Sequence, residues 1–178
     1  IFPDLFLVVV PRHFERGKEA GRDLQHQGVR FIYRSEITVN KQCKEDEFDC
    51  LLVNTTGELK YFYEHATVIF VGKSLTAEGG QNPIEPGALC KPIIFGPNMQ
   101  NFEAIAKQLV ERDGAVQVHN VDQLEAALAK LLGSPERREI LGHNAVRVIR
   151  ENLGAIDRTV DMIIGRIDDT DLYVAAKK

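Results

Sequence analysis

At 178 residues, 44% hydrophobic and 27% charged, the chain is long enough for a real core and has the make-up of one soluble globular domain. Its net charge of −4, with no basic stripe or cluster, argues against a nucleic-acid partner. Cys43, Cys50 and Cys90 are odd in number and lack metal-ligand spacing, so a reduced cytosolic setting is expected, with neither metal nor cofactor.

The elements alternate along the chain. Residues 5–10, Leu-Phe-Leu-Val-Val-Val, form a continuous apolar run ended by Pro11, the pattern of a buried parallel strand and too short to span a membrane. Residues 14–27 carry helix formers and stop at Gly28. Val29–Tyr33 reads as a second strand, residues 36–48 as a polar loop, and Asp49–Val53 as a third strand followed by a helix over Gly57–His65. Thr67–Val71 is a fourth strand. A glycine-rich turn and a short helix opened by Asn82-Pro83 lead to a fifth, Pro92–Phe95. A helix over 101–112, a sixth strand Ala115–Val118 and a helix over Val121–Leu132 follow. Ser134-Pro135 then opens a long helix, with Ser as the cap and Pro at the first helical position. Gly154 is expected to break it before a last helix over Ala155–Ile167, with 168–178 a frayed tail.

Strands separated by helices of this length predict an α/β fold, a Rossmann-like parallel sheet of about six strands with helices on both faces. Ligands of such sheets bind outside the carboxyl ends of the strands. The candidate polar groups fall there: Arg12 and His13 after the first strand, Ser35 after the second, Asn54–Glu58 after the third, Gly72–Asn82 after the fourth and Gly96–Asn101 after the fifth. The chain begins at Ile1 and enters an apolar strand almost at once. It therefore reads as the C-terminal half of a longer protein, with a processed mature chain as the alternative.

The stretch from Phe70 to Phe102 carries the most chemistry. Its glycine-rich turn leaves backbone N–H groups for an anion, and Glu85, in the first turn of the short helix, can read ligand hydroxyls. Together these suit a nucleotide or nucleotide sugar. Gly72-Lys73-Ser74 is not a phosphate loop, because that motif needs a glycine where Thr67 stands. Asn82 and Glu85 have a second reading as a capping pair. Arg12 is either a bidentate anion ligand or half of a surface ion pair. His13 is either an acid–base group or a hydrogen-bonding prop. Glu58 fits the start of a helix on dipole grounds alone.

With these motifs in hand, the chain resembles the C-terminal domain of 3-deoxy-D-manno-octulosonic acid (Kdo) transferases, bacterial glycosyltransferases of lipopolysaccharide core synthesis. The resemblance rests on Pro11-Arg12-His13, Arg34-Ser35, Thr55-x-Gly57-Glu58-Leu59, Phe70-Val-Gly-x-Ser74, Gly79-Gly80-x-Asn82-Pro83-x-Glu85-Pro86, Gly96-Pro97, Asn101-Phe102 and Asn152-x-Gly154-Ala155, in that order. It implies the C-terminal half of a GT-B enzyme, in which residues 1–167 bind the donor CMP-Kdo. A separate N-terminal domain would hold the lipid A precursor acceptor and the catalytic base. Transfer would invert the anomeric carbon, at the cytoplasmic face of the bacterial inner membrane, and this half alone would be soluble and inactive.

By motif, the nucleotide-sugar site implied is Arg12, Ser35, Glu58, Gly72, Ser74, Gly80, Asn82, Glu85, Gly96, Pro97 and Asn101. Arg12 would meet phosphate or sugar carboxylate, Asn82 and Glu85 the ribose, and Gly96-Pro97 the base. The chain departs from the family at Asn54 (usually Asp), Lys73 (usually Gly) and Gln81 (usually His). Lys73 adds a cation that either meets the phosphate or points to solvent. The alternatives are a GT-B transferase or epimerase using a UDP-sugar, and a non-catalytic nucleotide-binding module.

Overall fold

The computed structural model describes residues 2–38, 44 and 47–164. The chain divides into two compact units, Ile1–Phe62 and Tyr63–Lys178, each with its own parallel sheet.

In the first unit, β1 (Leu7–Val9), β2 (Phe31–Tyr33) and β3 (Cys50–Leu52) pair in the order β1-β3-β2. Leu7 stands opposite Cys50, and Phe31 is opposite the same residue on the other side. Both pairings are parallel, and β1 reaches β2 by a helical crossover of the kind parallel strands need. The first connection is a 3-10 turn, Phe14–Arg16, running into α1 (Gly17–His26), which packs on β2 and β3. Ile32, Leu51 and Val53 form the core, covered by Ile37, Phe48 and Phe62. Phe62 belongs to α2 (Leu59–His65), inside which the division between units falls.

In the second unit, β4 (Ile69–Val71), β5 (Ile93–Phe95) and β6 (Ala115–Gln117) pair in chain order. The connections are α3 (Ile84–Ala88) and α4 (Glu103–Glu111), and α5 (Val121–Gly133) and α6 (Pro135–Ile164) complete the unit. The central strand β5 is buried along its whole length, so alternate residues feed opposite faces. Ile93 and Phe95 join Val71, Ala106 and Leu109 beneath α4 and α6, with Ala145 and Val148. Ile94 joins Leu131 and Leu141 on the face covered by α5 and α6. Helices on both faces of a parallel sheet are as predicted.

Three expectations are corrected. The six strands do not form one sheet but two of three strands, because β1 and β2 occupy both edges of β3 and β4 pairs with β5 alone. The first apolar run is not buried: Leu7 is 47% and Val8 37% exposed, since β1 is an edge strand whose one partner is β3. Its hydrophobicity reported strand, not depth. Gly154 does not break the last helix, which runs without interruption from Pro135 to Ile164. One glycine costs about 1 kcal/mol in a helix, less than packing against the sheet returns over the preceding turns. The N-terminus of α6 is as read, with the Arg137 N–H donating to Ser134 Oγ at 3.2 Å. The expected tail 168–178 and part of the 36–48 loop lie outside the described residues.

Candidate functional site

The carboxyl end of the second unit's sheet is built by two turns stitched to each other. After β4 the chain enters Gly72-Lys73-Ser74, where the Ser74 side chain is wholly buried. Its Oγ donates to the Val71 carbonyl at 2.5 Å and accepts the Gly96 N–H at 2.8 Å. The Ser74 carbonyl accepts the Asn98 N–H at 2.9 Å, and the Asn98 side-chain amide donates to the Leu75 carbonyl at 3.3 Å. Gly96 is required by this closeness: a Cβ there would overlap the Ser74 carbonyl oxygen and sit 2.5 Å from the Leu75 Cα. Ser74 is thus a rivet between the turns, and its hydroxyl proton is spent inside the fold.

The rest of the loop folds back on the same turn. Gln81 N–H donates to the Gly72 carbonyl at 3.2 Å, and Gly79 N–H donates to Gln100 Oε1 at 2.8 Å. Gly80 has φ +52°, and a Cβ there would come 2.5 Å from the Met99 sulfur, so only glycine closes this corner. Fewer backbone N–H groups are free than the glycine content suggests.

Asn82 and Glu85 meet at the start of α3. Asn82 Oδ1 accepts the Ile84 N–H at 2.9 Å, and its amide donates to Glu85 Oε1 at 3.0 Å. This differs from a full capping box, in which the acid would turn back to a backbone N–H. Pro83, Pro86 and Gly87 are buried, with Gly87 against Ile149 and Ala145 of α6. That anchoring leaves Glu85 facing outward and exposed. Half-buried Tyr63 lies within its field: burial, then the charge of Glu85, pushes the phenol up. Pro97 and Asn101 are exposed on the neighbouring turn.

The first unit gathers its own strand-end groups. Arg34 donates to Glu58 Oε1 from Nε at 3.0 Å and from Nη2 at 2.7 Å, and Thr55 Oγ1 donates to Glu58 Oε2 at 2.5 Å. The Thr55 hydrogen bond, reinforced by Arg34, lowers the Glu58 carboxyl pKa. Ser35 and Asn54 pair reciprocally: Ser35 N–H donates to Asn54 Oδ1 at 3.0 Å, and Asn54 Nδ2 donates to Ser35 Oγ at 2.8 Å. An aspartate could keep both contacts by accepting from the hydroxyl, so Asn54 conserves the link with the proton reversed. Arg12 and His13 are exposed after β1, and Arg12 has no ion-pair partner among the described residues.

No family model matches the chain. Among curated proteins it is similar to a 3-deoxy-D-manno-octulosonic acid transferase of Haemophilus influenzae, 37% identical over 163 residues, which are 91% of this chain and 37% of that protein. A Bordetella pertussis protein of the same name is 31% identical over 161 residues, 90% of this chain and 37% of its own length. The crystal structure of the C-terminal CMP-Kdo binding domain of WaaA from Acinetobacter baumannii superposes with a TM-score of 0.74 at 29% identity, covering 81% of this chain and 73% of that one. The chain belongs to the 3-deoxy-D-manno-octulosonic acid transferase family. It spans little more than a third of the length of these curated relatives.

Neither of two open cavities in the second unit of this Kdo transferase domain is lined by Asn82 or Glu85, and one of the two stands beside the stitched turns. One of about 380 Å³ is lined by Pro97, Gln100 and Gln117 together with residues of α4. Another, of about 540 Å³, lies between Cys90 and the Arg147 and Arg150 face of α6. Cys90 precedes β5, so that cavity is at the amino end of the strands, away from the chemistry. Among the described residues no group of three or more His, Cys, Asp or Glu is placed to hold a metal, and no helix is long and apolar enough to cross a membrane.

Sequence reasoning missed Gln100 and Thr55 as supports of the Gly79 turn and Glu58, and Tyr63 as a neighbour within the field of Glu85. Thr55 was legible in its motif with Glu58. Gln100 and Tyr63 carried no signal, because each lies more than twenty positions from the residue it meets.

Proposed function

We propose that this chain is the donor-binding domain of a Kdo transferase, holding CMP-Kdo while Kdo passes to a lipid A precursor with inversion. An N-terminal domain, at the cytoplasmic face of the bacterial inner membrane, would supply the acceptor site and the catalytic base. The observation that carries this reading is the likeness to a solved CMP-Kdo binding domain, joined to a rigid strand-end turn that presents Asn82 and Glu85.

Glu85 accepts from the ribose hydroxyls, in a position fixed by the Asn82 amide and the buried anchors of α3. Gly96 and Pro97 line the base, and Gly72, Gly80 and Asn101 shape the phosphate side. Ser74 serves by holding the two turns in register and does not itself touch ligand. In the first unit Arg12, exposed and without an ion-pair partner among the described residues, offers a guanidinium fork to phosphate or sugar carboxylate. Ser35 and Glu58 brace the strand ends through Asn54 and Arg34. The catalytic contribution of such a domain is to stabilise the departing cytidine monophosphate with preorganised donors.

Calorimetric titration of CMP, with UMP and UDP as controls, tests the reading. CMP-selective binding that weakens by about 1–3 kcal/mol in Glu85→Ala is expected for hydrogen bonds to a charged group. Preference for UDP would instead point to a UDP-sugar enzyme. Unchanged CMP affinity in a folded Glu85→Ala variant would remove Glu85 from the site.

A further inference from the structure

Lys73 occupies a conformation that a lysine adopts only at a cost. Its φ is +61°, in the left-handed region, two residues after β4 and one before the buried Ser74. A glycine would sit there without strain, so the side chain is kept where the backbone argues against it. Strained backbone held by its surroundings is a pointer to function when the side chain has somewhere to go.

The side chain does have somewhere to go. It folds back across the loop, placing Nζ 3.4 Å from the point where a Gly79 Cβ would stand. Asn101 Nδ2 approaches the same point to 2.9 Å. Two hydrogen-bond donors, one of them cationic, therefore converge over the Gly79–Gly80 corner. Neither has a hydrogen-bond or ion-pair partner among the described residues, and the nearby acceptor, Gln100 Oε1, is used by the Gly79 N–H. Donors gathered in this way, one of them cationic, are the complement of an anionic oxygen.

We propose that Lys73, with Asn101, is a specificity-determining residue that binds the phosphate of the nucleotide donor. The assignment rests on the donor-binding reading above. Lys73 would hold the phosphate in the bound donor and stabilise it further as the sugar–phosphate bond breaks and both bonding electrons pass to the phosphate oxygen of the departing cytidine monophosphate. The strain at φ +61° is then the structural cost of putting a cation at that oxygen.

The test is calorimetric binding of CMP and of cytidine to the full-length protein, comparing wild type with Lys73→Met and Lys73→Gly. CMP affinity is expected to fall about tenfold in both variants, the effect of losing one charge-assisted hydrogen bond, while cytidine affinity stays the same. The wild-type preference for CMP should shrink with added salt more steeply than that of Lys73→Met. Lys73→Gly should raise the thermal midpoint even as it weakens CMP, which separates loss of the charge from loss of the fold. Wild-type CMP binding matched by Lys73→Met overturns the role of Lys73 and leaves the donor reading standing. A wild type that ignores CMP overturns both.

Discussion

The rivet at Ser74 makes a prediction that separates a structural hydroxyl from a ligand-binding one. In Ser74→Ala the Gly96 N–H loses its 2.8 Å partner inside a buried turn, and the Val71 carbonyl loses its 2.5 Å donor. A buried donor left without a partner costs about 1–3 kcal/mol, and the carbonyl, with a second lone pair, costs less. The sum is about 2–3 kcal/mol. For a unit the size of Tyr63–Lys178 that corresponds to a fall in thermal midpoint of about 8–12 °C. Urea denaturation followed by circular dichroism, without nucleotide, should show the midpoint move while the slope holds. A hydroxyl that served only to bind phosphate would leave ligand-free stability untouched. A loss below about 0.5 kcal/mol, within the range of an ordinary surface change, would refute the rivet.

Other expectations follow from the same geometry. Gly96→Ala should cost about 2–3 kcal/mol, since its Cβ meets backbone at Ser74 and Leu75 that cannot move aside; wild-type stability by denaturation would disprove the required close approach. Arg12→Ala should weaken CMP about tenfold and leave cytidine unchanged, and equal losses for both ligands in titration would contradict an anion-binding role. Asp113 accepts from both Arg137 Nη atoms at 2.5 Å, and that hydrogen bonding lowers its carboxyl pKa below the ordinary 3.8. A depressed folded pKa gives stability that is present above the ordinary value and lost as pH falls through the depressed one. Asp113→Asn should therefore lower stability near neutral pH and flatten the acid limb between about pH 5 and 2, read from urea midpoints. Burial pushes the Cys50 thiol up to about 11, so alkylating reagents at neutral pH should leave it unmodified until the protein unfolds.

Element identity was legible because it is written locally. Short apolar runs, most of them next to a Pro or Gly, marked the six strands to within two residues, and Ser134-Pro135 marked the start of α6. The family was legible for the same reason: its motifs are short turns at strand ends, each readable as a string. The candidate residues of the second unit also came from the sequence, since Asn82 and Glu85 lie three positions apart in one turn.

What the tertiary structure decided was how those pieces are used. Apolar content marked Leu7 and Val8 as strand, but only the pairing order β1-β3-β2 makes them an exposed edge. Six strand signals were compatible with one sheet, and occupation of both edges of β3 divides them into two. Ser74 reads as a phosphate ligand beside Gly72, yet its proton goes to Val71 and its lone pair to Gly96, twenty-two residues on. Lys73 reads either as a phosphate-facing cation or as a solvent-facing one, and only its backbone angle and its approach to Gly79 beside Asn101 favour the first. Local chemistry fixes what a residue can offer. Which partner takes the offer depends on contacts between distant segments, and those form only when hydrophobic burial has set the strands and helices side by side.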